Sequence, residues 1–306
     1  MSGSDGQSGA PPADEAREEI EVTRLPLPLA DGYRTNMLRW QADGDSPPVL
    51  MVHGIQSHPG WFVGSASAMW RAGHCVYQLT RRGSGWNTRR RGHAKSAGQL
   101  LDDVAVAHRY VLEETGAESC HLVGVSWGGK LLAAYAAERR EAAATASLTL
   151  LSPGIAPRVD VPRRTKLAIA LCLLVAPWKR FDIPLSDVEL FTDNAAAQQQ
   201  LRDDELRLHR ATAKFLYASR CLDRLLKRAP AGAIDAATTL ILAERDRIID
   251  NAATTGEVAR LTGGRAVVEQ LPGCHTLDFE PDPAPFHQAL CQALARAERG
   301  AQVRGL

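Results

Sequence analysis

Gly124-Val125-Ser126-Trp127-Gly128 decides how this chain is read, through its flanks as much as through its own pattern. Before it, Cys120-His121-Leu122-Val123 is a short apolar strand signal. After it, Gly129 to Arg140 is rich in alanine with basic residues in its last turn, a helix signal. A serine caught between a buried strand and a helix start must occupy a very tight turn. The flanking glycines let that turn close, because a β-carbon at either position would crowd the neighbouring backbone. The turn pushes the hydroxyl out of the sheet and over the helix N-terminus. There, dipole charge and free N–H groups favour attack on an electrophile. The competing reading is a tight turn that merely joins two core elements.

Working outward, strand and helix signals alternate. Glu19–Leu27 and Tyr33–Gln41 read as a β-hairpin with a turn near Asp31-Gly32. Pro48–His53, Cys75–Thr80, Ala146–Leu151, Thr238–Ala243 and Ala266–Leu271 read as strands. Trp61–Arg71, Leu100–Glu114, Ala253–Leu261 and Pro285–Glu298 read as helices. Such alternation implies a mainly parallel α/β sheet with helices on both faces. The rhythm breaks between Ile155 and about Ala236, where only helical stretches and prolines are found. The expected organisation is a disordered tail over 1–18, a core over 19–154, a helical lid insertion over 155–236 and the rest of the core over 237–306. Such an insertion falls at the carboxyl edge of the sheet, where ligands bind in open α/β folds.

Bulk composition excludes several classes. The 306 residues carry a net charge of +1, which gives no electrostatic argument for a nucleic-acid partner. Hydrophobic residues at 45% and charged residues at 23% are ordinary for a globular protein. Six cysteines without a C-x-x-C pair suggest neither a disulfide framework nor a zinc site, and buried thiols fit a reducing, cytoplasmic compartment. No signal-peptide core precedes the first strand signal. The longest apolar run, Leu167–Ala176, is about half of what a bilayer span needs.

A serine needs a base, and the base needs an orienting acid. Both stand after the turn, each just past a strand. Asp246 lies in the loop Glu244-Arg245-Asp246-Arg247, with Glu244 and Asp250 as competing carboxylates. His275 lies in Pro272-Gly273-Cys274-His275, and Cys274 beside it reads as packing. Loops at the carboxyl ends of neighbouring parallel strands converge, so both can reach Ser126. The developing oxyanion needs donors. The backbone N–H groups of Trp127 and of Ile55, in His53-Gly54-Ile55, are assigned to it, with His53 as loop support. Arg81, Arg82, Arg89, Arg90, Arg91, His93 and Lys95 form the densest basic region, readable as a solvated loop or as a site for anionic head groups.

These residues resemble the α/β-hydrolase superfamily. His53-Gly54-Ile55, Arg82-Gly83-Ser84-Gly85, Gly124–Gly128, Asp246 and His275 match its landmarks in order. In much of the superfamily an aspartate stands two residues before the Arg-Gly-x-Gly loop; here it is Thr80. Phe191-Thr192-Asp193, Asp203–Leu206 and Ala211–Leu216 are similar to the lid of the monoacylglycerol lipase and lysophospholipase-like group. The resemblance implies a serine ester hydrolase acting on an acyl ester without metal or organic cofactor. A thioesterase or peptidase with the same triad is the alternative, and a non-catalytic binding protein on the same fold is the rival from another class. Apart from the resemblance, the position of the insertion at the sheet's carboxyl edge and its apolar run place Leu171 and Leu174 against the acyl chain or a membrane surface, the latter making the enzyme peripheral.

Overall fold

Val49–Val52 and Cys120–Val125 are buried at every position, as strands covered by helices on both faces must be. The computed structural model describes residues 22–304, so the expected tail over 1–18 and the first residues of the hairpin lie outside the described residues. The chain opens with β1 (Val22–Pro28) and β2 (Arg34–Trp40), an antiparallel pair. Next come β3 (Val49–Val52), α1 (Val63–Arg71), β4 (Val76–Thr80), α2 (Ala97–Thr115), β5 (Cys120–Val125), α3 (Trp127–Glu138) and β6 (Thr145–Leu151). After an intervening segment follow β9 (Ala237–Ala243), α7 (Asn251–Leu261), β10 (Val267–Leu271) and α8 (Ala284–Arg304). The eight-stranded sheet has the order β1-β2-β4-β3-β5-β6-β9-β10. It is parallel from β4 to β10, with β1 and β2 antiparallel at one edge.

Between β6 and β9 the chain forms α4 (Arg163–Val175), β7 (Arg180–Asp182), α5 (Ala195–Asp203), β8 (Arg210–Thr212) and α6 (Ala213–Arg228). The reading of this stretch as free of strands is corrected: β7 and β8 pair antiparallel. Strands of three residues are too short for alternation to register in the sequence. The helix expected from Trp61 begins later, at Val63. Pro59–Phe62 is a 3₁₀ turn in which the His58 side chain accepts from the Gly60 N–H.

Two glycines hold β5 and α3 at their crossing. A β-carbon on Gly128 would lie 2.2 Å from the Val52 carbonyl oxygen, and one on Gly124 would lie 2.6 Å from the Gly129 Cα. Neither neighbour is a side chain that can turn away. Gly128→Ala is therefore expected to destabilise the protein by at least about 1–3 kcal/mol, the range for overpacking. Denaturant unfolding of the purified variant checks this, and wild-type stability would show that α3 can lift from β3 without cost.

Candidate active site

Ser126 stands at the carboxyl end of β5 with φ 51° and ψ −119°, a conformation that L-residues rarely adopt. Such a backbone costs about 1–3 kcal/mol and persists only where its surroundings enforce it. Here the Ser126 N–H donates to the Leu151 carbonyl at 2.8 Å, and its own carbonyl accepts from Gly154 N–H at 2.8 Å. The neighbouring strand β6 and the loop that follows it thus clamp the turn on both sides. The hydroxyl is half-exposed, whereas the residues flanking it are buried.

Asp246 follows β9, and His275 follows β10. The two loops are bonded to each other, with Arg245 N–H donating to Gly273 C=O at 2.9 Å. His275 Nδ1 donates to Asp246 Oδ2 at 2.7 Å, and this leaves a lone pair on Nε2, 2.9 Å from Ser126 Oγ. Asp246 Oδ1 accepts from the N–H groups of Ile248 at 2.8 Å and Ile249 at 3.0 Å. Burial alone would raise the Asp246 carboxyl. The charge and hydrogen bond of His275 and the two backbone donors outweigh it, and the group is held below its ordinary 3.8. The competing carboxylates have other places. Asp250 caps α7 by accepting from Ala253 N–H, and Glu244 points to solvent. Cys274 is buried and its thiol donates to Asp193; burial and that carboxylate raise its pKa, so it is no thiolate nucleophile.

The loop after β3 runs beside the serine, with Gly54 facing it so closely that a β-carbon would sit 3.3 Å from Ser126 Cβ. Among the described residues neither the Ile55 nor the Trp127 N–H meets an acceptor. Trp127 is the first residue of α3, where a helix N–H has no internal partner. Arg81 holds the loop from behind, a role that the sequence reading missed. Its guanidinium donates to the carbonyls of His53 (3.2 Å), Gly54 (2.5 Å) and Ile55 (3.0 Å) and lies 4.6 Å from the Trp127 ring centroid. The expected support from His53 is present as well. Its Nδ1 donates to Gly54 C=O and its Nε2 accepts from Arg81 N–H, while burial and then the Arg81 charge keep the ring neutral.

The Arg-Gly-x-Gly loop is anchored without the aspartate that Thr80 replaces. Asn87 Nδ2 donates to Arg81 C=O, Tyr33 Oη accepts from Gly83 N–H, and Arg82 bridges Asp31 and Asp103. The reading of the whole basic region as a solvated loop is therefore corrected. Arg81, Arg82 and His93 are buried: carbonyls take up Nε and Nη2 of Arg81, carboxylates pair with Arg82, and His93 meets Thr212, while Nη1 of Arg81 is left without a partner among the described residues. Arg89, Arg90 and Lys95 remain exposed.

In α4, Ile169 and Cys172 face a small second core with Ala213. Leu171 and Leu174 do not enclose an acyl pocket: they are 61% and 83% exposed. Leu167, Leu171 and Leu174 lie at helical spacing on α4 as an exposed apolar stripe, and Trp178, beyond the end of the helix, is exposed as well. A cluster that could be taken for a metal site, His74, His121 and Glu298, includes His121 near the start of β5, at the strand end opposite Ser126. His74 Nδ1 already donates to the Pro47 carbonyl, and Ser147 Oγ occupies His121 Nδ1. Among the described residues no helix is long and apolar enough to cross a membrane.

A mostly parallel sheet, a strained serine where β5 meets α3, and an acid and a histidine on the two following strand ends define an α/β-hydrolase. The sequence profile of the family described as "Serine aminopeptidase, S33" matches residues 46–282, and the chain belongs to this family. Phospholipase YtpA of Bacillus subtilis (strain 168) is 25% identical over 187 residues, which cover 58% of this chain and 68% of that protein. The fold is shared with a monoacylglycerol lipase of Paleococcus ferrophilus (21% identity, TM-score 0.72, covering 91% of this chain and 100% of that one). It is shared also with a soluble variant of monoglyceride lipase from Saccharomyces cerevisiae (17% identity, TM-score 0.78, covering 94% and 99%).

Asp246→Asn is expected to reduce kcat about 10⁴-fold, because the amide favours the wrong imidazole tautomer. Asp250→Asn should cost little activity, since it alters a helix cap. The same substitution carries a stability signature. A depressed carboxyl contributes stability that is complete above its unfolded pKa, near 3.8, and lost as pH falls through the lower folded value. The stability gap between wild type and Asp246→Asn should thus narrow below pH 3.8, as read by denaturant unfolding across pH. A crippling Asp250→Asn would assign the acid to the other carboxylate.

Proposed function

We propose that this chain hydrolyses carboxylic esters of acyl-lipid type, with Ser126, His275 and Asp246 as its triad. The observation that carries this reading is the unbroken line of hydrogen bonds from Asp246 through His275 to Ser126. Ser126 Oγ attacks the acyl carbonyl carbon while its proton passes to His275 Nε2. The carbonyl oxygen becomes an oxyanion, received by the N–H groups of Ile55 and Trp127. The tetrahedral intermediate then collapses. The ester C–O bond breaks, and the alcohol leaves with the proton from His275. Water, deprotonated by the same nitrogen, attacks the acyl-enzyme and releases the carboxylic acid and Ser126. The sequence of steps calls for no cofactor.

A lipid ester rather than an amide is supported by the relatives, a phospholipase by name and two monoacylglycerol or monoglyceride lipases. We take residues 155–236 as the lid. Its α6 packs on α3, with Trp127 Nε1 donating to Ser219 Oγ and Lys130 paired with Asp223. The exposure of Leu171 and Leu174 favours a lipid surface over an enclosed acyl pocket as the partner of the α4 stripe. Such contact makes the enzyme peripheral to a membrane.

Ser126→Ala should lose roughly 10⁴–10⁶-fold in kcat with the fold intact, and should no longer be labelled by a fluorophosphonate. Substantial turnover by the purified variant would sink the assignment. A panel of monoacylglycerols, lysophospholipids, short esters, acyl thioesters and aminoacyl amides should single out the first two; preference for the amides would make the chain a peptidase.

Burying two leucines even in part is worth about 1.5 kcal/mol or more. Leu171→Ser with Leu174→Ser should therefore lower hydrolysis of vesicle-borne monoacylglycerol about tenfold and leave a soluble short ester unaffected. Equal rates on vesicles for both proteins would remove the stripe from the reaction.

A further inference from the structure

Beside the basic loop, where it meets the segment between β6 and β9, lies a cavity of about 340 Å³. Its walls are Arg90, His93, Lys95 and Gln99 from the core, with Trp178 and Lys214 from the other side, and Asp31 at the edge. That volume is at the small end of the range for ligand pockets, roughly 300–1,000 Å³.

The charge on these walls is unbalanced. Arg90, Lys95 and Lys214 are three cations, and among the described residues none of them forms an ion pair. Asp31 is the one carboxylate on the wall, and it is already engaged. It accepts two hydrogen bonds from Arg82, at 3.0 and 3.1 Å, and one from Gln99 Nε2 at 2.8 Å. Surface cations with free heads are common and are normally solvated. Here they converge on a concave site with an organised wall.

That wall is built from aromatic rings. The His93 ring stacks on Trp178 with centroids 3.7 Å apart and planes 18° apart, and its Nδ1 lies 3.0 Å from Thr212 Oγ1. Burial, followed by the charges of Lys214, Arg90 and Arg82, holds His93 down at about 4, so the ring is neutral near pH 7. The Arg90 guanidinium lies 5.9 Å from the Trp178 centroid. Its backbone is at φ 52°, a left-handed conformation uncommon for a residue that is not glycine. Trp178 follows the end of α4 in the chain and is 54% exposed, so the cavity lies next in sequence to the helix that carries the apolar stripe.

We propose that this cavity is a binding site for a phosphate-bearing ligand, received by Lys95, Lys214 and Arg90 against the Trp178–His93 wall. The three heads supply multiple donors to phosphate oxygens, and charge-assisted bonds of this kind are among the strongest available to a protein. The ligand joins the core to the segment that carries α4. Two sources share this chemistry: the headgroup of an anionic lipid in a surface met by the stripe, and a free phosphate ester. The site does not depend on the identity of the ester cleaved at Ser126.

The test uses the full chain and the double variant Lys95→Gln/Lys214→Gln. Among the described residues neither ammonium has a partner to lose, so the variant should fold and hydrolyse a soluble short ester at the wild-type rate. In one arm, titration calorimetry compares glycerol 3-phosphate with glycerol. In the other, co-sedimentation compares phosphatidylcholine vesicles with and without phosphatidate. The wild type should bind the phosphate-bearing probe over its neutral control, and the variant should weaken that binding at least tenfold. A response to glycerol 3-phosphate alone assigns the site to a free phosphate ester; a response on phosphatidate vesicles alone assigns it to a lipid headgroup. The control Arg109→Gln/Arg140→Gln removes the same charge from exposed positions elsewhere. It should stay within twofold of wild type. An equal loss in the control overturns the site in favour of net charge. So does a wild type that prefers neither phosphate-bearing probe, or a pocket variant that binds like wild type.

Discussion

The approach of α3 to the sheet sets the geometry on which everything else in this molecule depends. Gly128 passes so near the Val52 and His53 carbonyls, and Gly124 so near Gly129, that no β-carbon fits at either crossing. With the helix pressed down at this point, the connection from β5 has no room for an ordinary turn. Ser126 takes up the difference in a backbone conformation that β6 must hold in place. The strain is local, and its consequence is positional. The hydroxyl stands clear of the sheet, with the N–H of Trp127, which meets no acceptor among the described residues, beside it and Gly54 against the Ser126 Cβ.

The rest of the site is arranged around that fixed point by two kinds of interaction. Strand order brings the acid and the histidine near, since β6, β9 and β10 are consecutive neighbours beyond β5. Buried polar contacts then set the angles. Asp246 spends one oxygen on its own loop and the other on His275, so a single carboxylate fixes both the loop and the imidazole tautomer. Arg81 does the same for the opposite wall. It gathers three successive carbonyls of the loop after β3. A guanidinium suits this task, because its donors are coplanar and it stays charged when buried.

The segment between β6 and β9 is tied to the core by polar clips as well as by apolar packing. Asp204 accepts from Trp61 Nε1 and lies 3.1 Å from His58 Nε2, and the buried Arg207 reaches Gln56 in the loop after β3. These clips join the segment to the same loop that Arg81 shapes. In contrast, α4 rests on a small separate core and turns its leucines outward. The segment thus has a fastened base and an apolar outer face on α4.

The sequence by itself determined most of the local elements and which serine, carboxylate and histidine to look for together. Turn chemistry and periodicity are short-range properties, so the strand–turn–helix around Ser126 and the loop positions of Asp246 and His275 could be read from a few residues each. What lay beyond it were relations between distant segments. Two strands of three residues leave no alternation to detect, so β7 and β8 exist only as a pair. Arg81 and Arg82 look like neighbours of Arg89 and Arg90 in a basic loop; only folding shows that the first two meet carbonyls and carboxylates, which the side chains of the others do not among the described residues. The outward face of Leu171 and Leu174 could not be read either, because an apolar run states what avoids water and not which surface removes it from water. Burial and partnership belong to the tertiary structure, since they depend on atoms that the chain brings together from far apart in the sequence.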